Sequence, residues 1–111
     1  MPTNPKLLAS GELSDNLALI CYPTGDVKYQ RISFFSLCNT QCEPALINIE
    51  YMVSSAGKLN AKMVHNMELL EGSIFQVISD GAQLVLGKTN GLKASSSAGG
   101  VTYVITGEEE T

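Results

Sequence analysis

The fold of this chain is decided by residues 27–53, VKYQRISFFSLCNTQCEPALINIEYMV. From Ala45 onward, Ala45, Ile47, Ile49, Tyr51 and Val53 fall on one parity, while Asn48 and Glu50 fall on the other. Side chains along a β-strand alternate between its two faces, so this pattern predicts a strand with one buried side. Upstream, Ile32, Phe34 and Phe35 form a β-branched and aromatic run bracketed by Arg31 and Asn39, which predicts a second strand. Between them, Cys38-Asn39-Thr40-Gln41-Cys42-Glu43-Pro44 has the Asn, Thr and Pro chemistry of a connection. The expectation is a hairpin of two long strands, with the rest of the chain hiding its apolar face. Adjacent strand residues point to opposite faces, so only one of Phe34 and Phe35 can join the core directly. The other needs a loop or a second subunit to cover it, and Val104 beside Tyr103 and Ile105 poses the same question.

Working outward, residues 1–6 hold two prolines and no periodicity, which predicts a flexible or docking arm. Residues 7–13, LLASGEL, read as a first edge strand, and residues 17–22, LALICY, as a strand stopped by Pro23-Thr24-Gly25-Asp26. Residues 59–67 suit a strand better than a helical turn, and residues 73–78, SIFQVI, are strong strand sequence. Asp80-Gly81 is a hairpin dipeptide, so residues 82–86 are expected to pair back across it. Residues 92–95 and 101–106 complete the strands, and Glu108-Glu109-Glu110 reads as a solvated acidic tail. The result is about eight short strands at roughly ten-residue intervals, with no convincing helix. The predicted fold class is all-β: one antiparallel β-sandwich, Greek-key or jelly-roll-like, over residues 7–107, between an arm at 1–6 and a tail at 108–111.

Composition narrows the function. The 111 residues fit one domain, and the charged share of 16% lies below the roughly 25% of an average domain. Either small polar residues cover such a surface, or part of it is hidden against other subunits. The net charge of −4 and the scattered positions of Lys6, Lys28, Arg31, Lys58, Lys62, Lys88 and Lys93 argue against a nucleic-acid partner, which needs a clustered positive field. No apolar run approaches the ~20 residues that span a bilayer, and no secretion signal is expected. Three cysteines leave at least one thiol unpaired, and the spacing of Cys38 and Cys42 does not fix whether they pair. These are the thiols of a protein expected to assemble in a reducing cytoplasm.

Four patterns in the sequence bear on catalytic or metal chemistry. Gly87-Lys88-Thr89 resembles the end of a phosphate loop, but five residues separate Gly81 from Gly87 where the motif has four, and no helix is predicted to follow. A hairpin turn is the expectation there. His65 is the sole imidazole, with nothing in the sequence to bring Cys38 or Cys42 to it. The carboxylates form neither a calcium loop nor a visible acid/base pair, and a zinc site lacks a fourth ligand. The reading is therefore not an enzyme, with no catalytic, cofactor-binding or metal residues.

Several segments together resemble small virion proteins of tailed bacteriophages. They are residues 8–13, 17–23, 31–40, 47–53, 84–86, 92–95 and 101–108, with Cys38-Asn39-Thr40 and Ile105-Thr106-Gly107-Glu108 the most distinctive. The similarity covers residues 7–108 and departs at Cys42-Glu43-Pro44 and at residues 87–91. It implies a head decoration (cement) protein that bridges capsid subunits, located in the virion and assembled in the host cytoplasm. The partners implied are the major capsid protein or other virion proteins, and a homo-oligomer, with a trimer favoured. The alternative is a neck, tail or fibre component, including a receptor- or glycan-binding module using the loops at 88–90 and 95–100. Leu7, Leu8, Leu13, Phe34, Phe35, Met52 and Val104 are the candidate contact residues.

Overall fold

The structure, a computed structural model, describes residues 6–53, 60–78 and 83–111. Among these the strands are β1 (Lys6–Glu12), β2 (Ala18–Cys21), β3 (Tyr29–Asn39), β4 (Ala45–Met52) and β5 (Ala61–Leu69), followed by β6 (Ile74–Ile78), β7 (Leu84–Leu86), β8 (Gly91–Ser96) and β9 (Val101–Glu110). They form two antiparallel sheets packed as an all-β sandwich. Sheet A has the order β1-β9-β3-β6, with β7 also on β3, and sheet B has the order β2-β8-β4-β5. The pairing is nested: β1 with β9, β2 with β8, β3 with β6 and β7, and β4 with β5.

Two expectations about pairing are corrected by this order. The long strands around the corner are not a hairpin, because β3 lies in sheet A and β4 in sheet B. The corner therefore carries the chain from one layer to the other. Nor does β7 pair back on β6: both lie on the same side of β3, with Phe35 opposite Ile78 and Ile32 opposite Leu84. They are two strands on one edge of sheet A. Asp80 and Gly81 themselves lie outside the described residues.

The corner is held by one side chain. Asn39 is fully buried, and its Nδ2 donates to the carbonyls of Glu43 at 2.9 Å and Leu69 at 3.0 Å. Its Oδ1 accepts from the amide of Gln41 at 3.0 Å. A buried amide is tolerated when its donors and acceptor are satisfied, and here the satisfaction fixes where the chain leaves sheet A. Thr40 adds a hydroxyl bond of 2.6 Å to the carbonyl of Gly100.

The core lies between the layers and is built from Ile32, Phe35, Leu37, Ile47, Ile49, Leu86, Leu92, Val101 and Ile105, each 0% exposed. In β4 the predicted alternation holds at Ala45, Ile47 and Ile49, while Tyr51 is half-buried and Val53 exposed. In β3 the phase changes midway: Gln30 and Ile32 are buried on even positions, then Phe35, Leu37 and Asn39 on odd ones. The cause is a β-bulge. The β3–β9 register slips between Ile32, opposite Gly107, and Phe34, opposite Thr106, leaving Ser33 as the extra residue. Gly107 permits the approach, since a Cβ there would overlap the carbonyl of Arg31.

The end of β9 also departs from expectation. The strand runs on through Glu110, so the acidic run is paired structure and not a solvated tail. Its charges are matched by residues far away in sequence: Lys6 pairs with Glu109, and Arg31 Nη2 lies 2.8 Å from Glu110 Oε2. Residues 1–5 of the predicted arm lie outside the described residues, and Lys6 is the first residue of β1.

Candidate functional site

The contact residues read from the sequence divide between the core and two different surfaces. Phe35 at 0% and Leu13 at 3% exposure are core residues, and Leu8 packs against that core. They cannot present side chains to a partner without unfolding the sandwich. Met52 is half-buried and belongs to sheet B. Its Cε lies beside Gly91, as does Leu19 Cδ2.

Leu7, Phe34 and Val104 come together on the outer face of sheet A. Directly opposed residues in an antiparallel pair share a face, and Leu7, Thr106 and Phe34 are successive partners across β1, β9 and β3. Val104 stands on the neighbouring outward position of β9, opposite Ser10 and Ser36. Two residues not anticipated from the sequence join them: Ile74, opposite Cys38, and Val85, opposite Arg31. Leu7, Val104, Ile74 and Val85 are between 42% and 67% exposed. Ile74 is followed directly by apolar Phe75, and Val85 sits in a three-residue strand between two leucines, so sequence alone did not mark either as outward.

The middle of this face carries no charge. Thr102, Thr106, Ser10, Ser36 and Gln76 surround the apolar side chains, and the charged groups Glu12, Arg31, Glu108 and Glu110 stand toward its ends. Sheet B is different. There Glu50 lies in register between Lys62 and Lys93 on the outward side, with Asn48 and Glu68 nearby. That face also exposes Leu19 and Leu46, but each stands opposite a charged residue, Lys93 and Glu68. An exposed apolar group with a polar rim is the pattern of a contact surface.

The sheet edges are poorly suited to accepting another strand. The β1 register slips between Leu7 and Ala9. Strand β2 has four residues and a slip of its own. Strand β5 slips twice, with Asn66 at φ 48° held by a reciprocal amide pair with Asn48. The fourth edge is shared by two short strands, β6 and β7. Short or irregular edges resist strand addition, which leaves the faces as the available contact surfaces.

Inside the sandwich a polar thread crosses both layers. The Cys21 thiol donates to Gln30 Oε1 at 3.3 Å, and Gln30 Nε2 donates to Glu109 Oε2 at 2.9 Å. Hydrogen bonds from Lys6 and Gln30 hold the Glu109 carboxyl below its ordinary value. Burial, with Glu109 nearby, pushes the Cys21 thiol up to about 12. A nucleophilic cysteine requires the opposite shift, so this thiol is inert at neutral pH. Burial also raises Tyr51, whose hydroxyl donates to the carbonyl of Val85 at 2.8 Å and ties sheet B to sheet A.

The remaining chemistry-bearing residues are dispersed. Cys21, Cys38 and Cys42 are all free thiols. His65 is exposed on β5 in sheet B, whereas Cys38 is on β3 in sheet A. Among the described residues no three His, Cys, Asp or Glu side chains are grouped to hold a metal ion. Residues 87–90 form a turn in which Asn90 N donates to the Gly87 carbonyl at 3.0 Å, followed by strand β8. It links β7 of sheet A to β8 of sheet B, so it is a turn between layers and not a hairpin turn. The loops at 88–90 and 95–100 sit at opposite ends of β8, about 20 Å apart at ~3.3 Å per residue, and do not form one binding site. A shallow depression of about 360 Å³ between residues 12–15 and 96–99 is lined by Glu12, Asp15 and three serines, without an aromatic platform. Compared with protein-family models, curated proteins and solved structures, the chain matches none of them.

Proposed function

We propose that this protein is a structural component of a virion, most simply a decoration protein that binds across the seams of a capsid through the outer face of sheet A. The observation that carries the proposal is the uncharged apolar centre of that face, Leu7, Phe34 and Val104, extended toward its ends by Ile74 and Val85, on a sandwich whose edges are short or irregular among the described residues. Burying such a face against a second protein removes apolar area from water at about 25 cal/mol per Å², and the charges toward its ends keep the free protein soluble. The nested strand order supports the finer jelly-roll reading of the sandwich, an architecture used in viral shells, although architecture alone does not assign function. The resemblance over residues 7–108 supports the same assignment. Neck, tail or fibre location is the alternative within the same reading.

Quantitative mass spectrometry of particles purified from the source culture tests it. Copies in proportion to the shell subunits identify a decoration protein, and a few copies per particle identify a neck or tail component. Absence from the particles overturns the virion assignment. The docking face is tested by Val104→Glu, which is expected to abolish incorporation while leaving the thermal midpoint within a few degrees of the parent. Unchanged incorporation would rule out this face.

A further inference from the structure

Strand β1 is held unequally at its two ends. Among the described residues it lies at the edge of sheet A, pairs with β9 alone, and has just Leu8 and Ala9 partly buried among Lys6–Glu12. The C-terminal end is well fixed. Leu13 is buried, its amide donates to the carbonyl of Val101 at 2.8 Å, and Glu12 Oε1 accepts from the amide of Gly100 at 2.6 Å. At the other end the side-chain fastening is the contact between the Lys6 ammonium and the Glu109 carboxylate. In between, the register slip at Leu8 interrupts the ladder.

The Glu109 carboxylate is set in place from the interior. It meets Lys6 from β1 and the Gln30 amide from β3, and Gln30 is in turn held by the Cys21 thiol from β2. The next residue, Glu110, engages Arg31 instead. Glu109 is thus a rigid acceptor, 17% exposed, while its partner Lys6 is 55% exposed. A preorganised acceptor facing a half-solvated donor is a contact that can be made and broken without disturbing the core.

We propose that β1 is a latched strap: breaking the Lys6–Glu109 contact lets it swing away about residues 11–13 and uncovers the hydrogen-bonding edge of β9. The proposal explains why a polar thread is built behind an otherwise weak edge strand, since the thread aims Glu109 at Lys6. It also gives the sandwich one strand edge that is covered by a removable element. Among the described residues, the β2 and β5 edges are irregular in register and the remaining edge is shared by two short strands.

Hydrogen exchange of the full chain, read by mass spectrometry and corrected for intrinsic rates, tests the strap in the parent, Lys6→Met and Glu109→Gln proteins. At pH 7 each variant is expected to lose protection over residues 7–11 by about tenfold or more, while β3 and β4 keep theirs. The parent is expected to behave likewise as the pH falls through the lowered value of the Glu109 carboxyl. Ser10 and Val104 are register partners. An oxidised Ser10→Cys/Val104→Cys pair, with Cys38 and Cys42 changed to serine, should therefore restore protection to the Lys6→Met protein. Equal protection in parent and variants overturns the proposal. So does a loss spread evenly over all strands, because β1 would then open only with the whole fold.

Discussion

The neighbouring phenylalanines give the sharpest test of the structure. Without the bulge at Ser33, the parity that buries Gln30 and Ile32 would carry Phe34 inward and Phe35 outward. With it, Phe35 is 0% exposed and Phe34 lies on the outer face, half-buried. Truncating a fully buried phenylalanine costs about 3–5 kcal/mol, from lost transfer energy and the cavity left behind. A chain of 111 residues has a total stability of about 6–17 kcal/mol, so Phe35→Ala removes a large part of it. With a urea slope of about 2 kcal/mol per M, the midpoint should fall by roughly 1.5–2.5 M. Phe34→Ala leaves no enclosed cavity and should cost about 1 kcal/mol or less, a shift near 0.5 M. Urea unfolding followed by far-ultraviolet circular dichroism measures both. Equal costs, or a larger cost at Phe34, would mean that β3 keeps one phase throughout and that the bulge is misassigned.

Three further outcomes follow from named contacts. Asn39→Ala leaves two carbonyls and one amide at the corner without their partner and is expected to cost about 2–4 kcal/mol in urea unfolding; a cost below that of an ordinary surface substitution would remove Asn39 from its role. Glu109 has a folded-state pKa below its unfolded value, so its contribution is fully present above about pH 4.5 and is lost as the pH falls through the lowered value. Glu109→Gln should therefore lower stability at pH 7 and flatten the acid limb of a midpoint-versus-pH curve, and parallel curves for the two proteins would refute it. Alkylation at pH 8 followed by peptide mass mapping should label exposed Cys42 first, half-buried Cys38 more slowly, and Cys21 only on unfolding. Prompt labelling of Cys21 would contradict the thread that encloses it.

Most strand positions were legible because the signals for them are local. β4 announces itself through alternation, β2 through the Pro23-Thr24-Gly25-Asp26 stop, β6 through its β-branched and aromatic residues, and β8 through the turn residues on either side of it. The outer face was half legible. Adjacent phenylalanines and the position of Val104 showed that apolar groups must face outward, but Leu8, Leu13 and Phe35 could not be separated from Leu7 and Phe34. That separation depends on bulges at Leu8 and Ser33, each of which shifts the side-chain phase by one residue. A bulge is dictated by what lies across the ladder, here Gly107 opposite Ile32, and the strand's own sequence carries little trace of it.

The sequence by itself determined an all-β chain, the approximate limits of its strands, and an excess of apolar side chains over what one core face can hold. Only the tertiary structure decided that β3 and β4 part company at Asn39, that β7 continues the edge begun by β6, and that the acidic run is the end of β9. The physical reason is the range of the forces involved. Period-two alternation is fixed by the covalent geometry of each strand, whereas the choice of pairing partner is set by contacts between residues as distant as Lys6 and Glu109. A polar corner of five residues can close a hairpin or cross between layers, and the surface left to be buried determines which.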